Sequence, residues 1–124
     1  MATVEEIKGF IEETYSVKWE EGSSLVSINF DLGNDRSQLV MIGVMGKALT
    51  AASPFAKISD ISAEQALSIS NTYKPVTLLG DAFYGHSSAF PMENLQPEEV
   101  VHMIELVALV ADDSEKELGL GDAL

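Results

Sequence analysis

At 124 residues the chain has room for one domain and one core, and its 46% hydrophobic and 7% aromatic content excludes a disordered chain. Twenty acidic side chains against seven basic ones leave a charge of −13, which disfavours nucleic acid and anionic membrane as partners unless the protein mimics DNA. The lack of cysteine removes disulfides, thiol catalysis and cysteine-held zinc.

The charge is concentrated at the two ends. Residues 1–21 carry six acids and two lysines, residues 22–92 five acids and four bases, and residues 93–124 nine acids and one lysine. The start, Met-Ala-Thr-Val-Glu-Glu, lacks the basic and apolar regions of a secretory signal. The longest apolar stretch, Val100 to Ala111, is too short for a bilayer. A cytoplasmic location is expected.

Thr3-x-x-Glu6 is a capping box that opens a helix, with Val4, Ile7, Phe10 and Ile11 as its apolar stripe and an end near Tyr15. Residues 17–21 alternate, with Val17 and Trp19 on one side, and Gly22-Ser23-Ser24 is a turn. Residues 25–32 alternate again, placing Val26, Ile28, Phe30 and Leu32 inward. Gly33-Asn34-Asp35 is the next turn, and the pair reads as a hairpin. Residues 36–45 are apolar on both faces, as in a central strand covered on both sides or covered on one by another subunit. Residues 48–57 form a weaker strand that is irregular, at an edge, or broken at Pro54.

Ser62-x-x-Gln65 opens a second helix that ends near 71–73, and residues 76–83 and 84–90 read as two strands around Tyr84-Gly85. Pro97 fits the first position of the last helix, with Glu98 and Glu99 at its positive end. Ten of the twelve residues from Val100 to Ala111 are apolar. Such a helix is either deep in its own domain or shared with a partner, and a dimer interface is the favoured reading. Gly119-Leu120-Gly121-Asp122 stops it. The order is helix, three or four strands, helix, two strands, helix, which suits an α+β domain with a five- or six-stranded antiparallel sheet over 1–124.

Chemistry is sparse. His86 and His102 are the only histidines. A catalytic zinc needs three protein ligands, and the triplet of His102 with nearby glutamates is of a kind common on wet helix faces. Ser88, His86 and Asp81 lack a nucleophile-elbow sequence. Gly43-x-x-Gly46-Lys47 has the wrong spacing for a phosphate loop. Arg36, the sole arginine, would pair with Asp35 or Asp31 or anchor an acidic ligand. No catalytic residue, metal or cofactor is expected.

Arg36-Ser37-Gln38-Leu39-Val40, Ser53-Pro54-Phe55-Ala56, Asn94-Leu95 before Pro97-Glu98-Glu99, and Val110-Ala111-Asp112-Asp113-Ser114-Glu115 before Leu118-Gly119-x-Gly121-Asp122 together resemble the YbjN-like family of bacterial sensory transduction regulators. The resemblance runs over about residues 4–122. It implies an α-β-β-β-α-β-β-α domain with a type III secretion chaperone-like fold, commonly dimeric, and no catalytic residues. Chaperones of that fold hold extended segments of client proteins in nonpolar grooves.

The leading expectation is therefore a non-enzymatic, protein-binding module, chaperone-like or regulatory, acting as a homodimer. Val40, Ile42 and Val44 with Val101, Ile104 and Ala108 are the candidates for self-association. The alternatives are a small-ligand binder or enzyme with a pocket near Arg36, Tyr84 and His86, and a structural subunit of a larger complex.

Overall fold

The structure, a computed structural model, describes residues 3–33, 35–70 and 75–120. The Thr3 hydroxyl accepts the Glu6 amide at 3.1 Å, so α1 (Val4–Tyr15) begins where the sequence places it, with Ile7 and Ile11 fully buried. Ser16, in the left-handed region at φ 55°, ends it. Residues 17–21 join no strand, contrary to their alternation. Val17 and Trp19 do turn inward, but α1 ties the segment down. The Glu12 carboxylate accepts the Trp19 amide at 2.9 Å, and the Lys8 ammonium sits 4.8 Å from the Trp19 ring centroid. Alternation here marks one-sided burial without a ladder.

The remaining elements are β1 (Leu25–Gly33), β2 (Arg36–Met45), β3 (Ala48–Lys57), α2 (Ala63–Ile69), β4 (Val76–Leu79), β5 (Phe83–Pro91) and α3 (Pro97–Glu117). The fold is α+β in the order α-β-β-β-α-β-β-α, with one five-stranded antiparallel sheet in the order β1-β2-β3-β5-β4. The last two strands turn at Gly80, Asp81 and Ala82, so Tyr84 and Gly85 lie inside β5. The second helix is seven residues long and opens with a complete capping box between Ser62 and Gln65. It ends at Ile69, short of the expected 71–73, where the Ser70 amide returns to the Leu67 carbonyl at 3.1 Å; the expected stop at Gly121 and Asp122 lies outside the described residues.

Pro54 stands in an interior strand, between β2 and β5, where it cannot donate to a ladder. The pairing slips between Pro54 and Ala56, and this bulge accommodates the proline. Phe55 is fully buried there and stacks on His86, with ring centroids 4.9 Å apart.

All three helices contribute to one side of the sheet. Pairing places Ile28, Val40, Ile42 and Ala51 on a common face, where they share a cluster with Ile7 and Ile11 of α1 and Val100, Met103, Ile104, Val107 and Ala108 of α3. Ile69 of α2 and Ala111 of α3 join Phe55, Ala56 and Tyr84 in a second cluster at the other end of the sheet. The opposite face carries Leu25, Leu39, Met41, Met45, Ala52 and Ala89, which belong to neither cluster. The apolar character of β2 on both faces thus has helices on one side only.

This geometry corrects four of the six residues expected at a dimer interface. Val40, Ile42, Ile104 and Ala108 are at most 1% exposed inside the chain's own core, while Val44 and Val101 are half-buried. The final helix spends most of its apolar surface on its own sheet. Its uncovered large side chains are Leu106 and Leu109.

Gly85 faces the helix-free side under Leu79, and a Cβ built there would lie 2.6 Å from the Ser53 carbonyl oxygen. Gly85→Ala is expected to destabilise by about 1–3 kcal/mol through overpacking. Gly9, in mid-α1 with open space around it, gives the contrast: Gly9→Ala is expected to stabilise by about 0.5–1 kcal/mol. Urea midpoints of the two variants measure both.

Candidate functional site

The apolar stripe of α3 ends at Ala111, but its buried face does not. Asp112, Ser114 and Glu115 continue that face and are at most 4% exposed. Three polar groups under a helix need partners, and the sheet supplies them. The Arg36 guanidinium donates from Nε to Asp112 at 2.7 Å and from Nη2 to Glu115 at 3.2 Å. Its Nη1 reaches the Leu120 carbonyl at 3.5 Å. That carbonyl follows a Schellman stop, in which the Leu120 amide returns to Glu115 at 2.7 Å and the Gly119 amide to Lys116 at 3.1 Å, with Gly119 at φ +72°. One arginine therefore grips both the buried acids and the end of the helix.

His86 occupies the other flank. Nδ1 lies 3.0 Å from the Pro75 carbonyl and Nε2 2.7 Å from the Ser114 hydroxyl. The carbonyl can only accept, so Nδ1 carries a proton and, in the neutral ring, Nε2 accepts from Ser114. Between the two flanks, Gln38 Nε2 donates to Ser53 Oγ at 2.8 Å and to the Pro54 carbonyl at 2.6 Å, and Ser53 donates to the Leu39 carbonyl at 2.6 Å. Arg36, Gln38, Ser53 and His86 thus form a polar strip across β2, β3 and β5 beneath the last turns of α3.

The expected partners of Arg36, Asp35 and Asp31, are corrected to Asp112 and Glu115. His86 takes Pro75 and Ser114 rather than Ser88 and Asp81. Arg36, Tyr84 and His86 do gather near the end of α3, but the groove that His86 lines includes neither Arg36 nor Tyr84. Tyr84 packs on Phe55, 6.5 Å between ring centroids.

Burial alone would raise the carboxyl of Asp112. The hydrogen bonds and charges of Arg36 and Lys116, the latter 3.1 Å away, together outweigh it and hold the group below its ordinary value of 3.8. Beside Phe30, with ring centroids 5.6 Å apart, burial and then the charge of Glu105 push the Tyr15 hydroxyl up to about 12. That hydroxyl is buried without a hydrogen-bond partner.

Concave surfaces border α3 on both sides. A groove of about 240 Å³ separates it from β5 and includes Pro75, His86, Ser88, Leu106 and Val110 in its lining. A wider hollow of about 490 Å³ between α1 and α3 has Phe10, Pro97 and Val101 on its floor and Glu98, His102 and Glu105 at its rim. No group of three or more histidine, aspartate or glutamate side chains suited to a metal ion occurs among the described residues. No described helix is long and apolar enough to cross a membrane. No family model matches the chain, and no curated protein matches it significantly.

Two measurements test the strip. Arg36→Ala takes the guanidinium from two buried carboxylates and is expected to cost about 3–5 kcal/mol in urea unfolding. The depressed Asp112 carboxyl contributes stability that is present above its ordinary titration range and lost as pH falls through its lower folded value. Stability is therefore expected to fall with acidification below about pH 4, and Asp112→Asn to flatten that fall while lowering stability at neutral pH.

Proposed function

We propose that this chain is a protein-recognition module of chaperone-like or regulatory type, akin to the YbjN-like family, that seats apolar side chains of a partner along the outer side of α3. One observation carries the reading. Leu106 and Leu109 are 48% and 52% exposed on a helix whose other large apolar side chains are buried or half-buried, and Leu106 forms a wall of the groove against β5. Phe90, 42% exposed, adds apolar surface on the same side of the sheet.

The size of the groove favours a side chain over a free ligand. Its roughly 240 Å³ falls below the ~300–1,000 Å³ typical of small-molecule pockets. The floor supports the same reading, because both ring nitrogens of His86 are engaged by Pro75 and Ser114. The acidic surface favours a partner with neutral or basic surroundings to its apolar anchor. The absence of cysteine is compatible with work in the cytoplasm.

Quantitative affinity capture with the wild-type chain, Leu106→Glu/Leu109→Glu and a Glu117→Gln control tests this. At least one protein is expected to be held by the wild type and the control and lost, about tenfold or more, with the double variant. Capture that is indifferent to the double variant would remove α3 as the recognition surface.

A further inference from the structure

The helix-free face of the sheet is nearly uncharged in a chain of net −13. Within its strands the charged positions on that face are Asp31 and Lys57, both toward one end of the sheet. The rest is Ser, Thr, Asn, Gly, Pro, Ala and larger apolar side chains. Leu25 and Met45 are 59% and 66% exposed, and Leu39 and Met41 lie half-buried between them and the sheet centre. Gly43 and Gly85 present no side chain here, and Leu25 and Leu79 lie down across them. The surface is correspondingly low.

Its extent suits a stable interface. The four long strands have nine or ten residues each. At about 4.8 Å between strands and about 3.4 Å per residue they cover roughly 600 Å². Two such faces together bury roughly 1,200 Å², above the ~1,000 Å² expected of a biological interface.

Charge selects the occupant. A basic partner is drawn to the acidic helical side, where Glu98 and Glu105 rim the α1–α3 hollow. Two copies of so acidic a chain repel one another over most of their surface, and this face is where they meet without opposing acid to acid. We infer that the helix-free face is the seat of a second copy of this chain, forming a twofold dimer whose sheets pack face to face with the helices outward. The dimer leaves the groove beside α3 open to solvent and stands or falls independently of recognition there.

Sedimentation equilibrium of the full chain over a concentration series tests it. The expected species has twice the 13.4 kDa chain mass. Met41→Lys and Met41→Glu are both expected to weaken the dimer about tenfold or more, because either charge is buried without a partner. A lysine would instead strengthen it if net charge alone governed association. Leu109→Glu, on the helical side, is expected to leave it unchanged. Leu25→Glu and Met45→Glu, at exposed positions, decide the matter if the Met41 variants lose cooperative urea unfolding. A chain that remains monomeric at its highest concentration, a dimer indifferent to every helix-free-face variant, or one dissolved by Leu109→Glu overturns the inference.

Discussion

The grip of Arg36 on the end of α3 is the contact on which the rest of the arrangement depends. Ion pairs at a surface contribute little, but this one faces Glu115, which is fully buried, and Asp112, whose side chain is 5% exposed. Burying such carboxylates is costly unless cation and hydrogen bonds are in place together. Apolar contacts above Ala111 would tolerate small shifts of the helix along the sheet. The fork of Arg36 and the pairing of Ser114 with His86 would not, since each fixes a distance and a direction.

That constraint has consequences for the surface. With α3 fixed, its inner side covers β2, β3 and part of β5, and Leu106 and Leu109 are left facing out. The groove beside β5 exists because the helix stops short of covering Ser88. The helices also leave the second side of the sheet bare, so the molecule has two surfaces of different character. One is acidic, ridged by helices and interrupted by small apolar hollows. The other is low, neutral and rich in Leu, Met and Ala. The proposed partner recognition and the proposed self-association therefore draw on opposite sides of the sheet and share no residues.

The two glycines on the bare side follow from the same geometry. Side chains that would stand up from a sheet under helices instead fold across Gly43 and Gly85. The bulge at Pro54 serves the covered side, where Phe55 fills the space between His86 and the second apolar cluster. Irregularities in β3 and β5 thus adapt the same strands to a packed side and an open one.

Much of this was legible in the chain itself. Capping residues at Thr3, Ser62 and Pro97, the alternation of Val26, Ile28 and Phe30, and glycine turns determined the element order, because each is a local interaction within a few residues. The spacing of Val100, Ile104, Val107 and Ala111, carried on to Ser114 and Glu115, would also have revealed the buried polar turn, since helical periodicity applies to polar residues as to apolar ones. The adjacent acids Asp112 and Asp113 look in sequence like a solvated pair, which masks it. The partners of Arg36 and His86 were beyond sequence reasoning: Asp112 and Glu115 lie more than seventy residues from Arg36, and only the crossing of α3 over the sheet brings them together. Which side of β2 would be covered was likewise undecided locally, because both of its faces are apolar. The tertiary structure settled it by placing all three helices on one side.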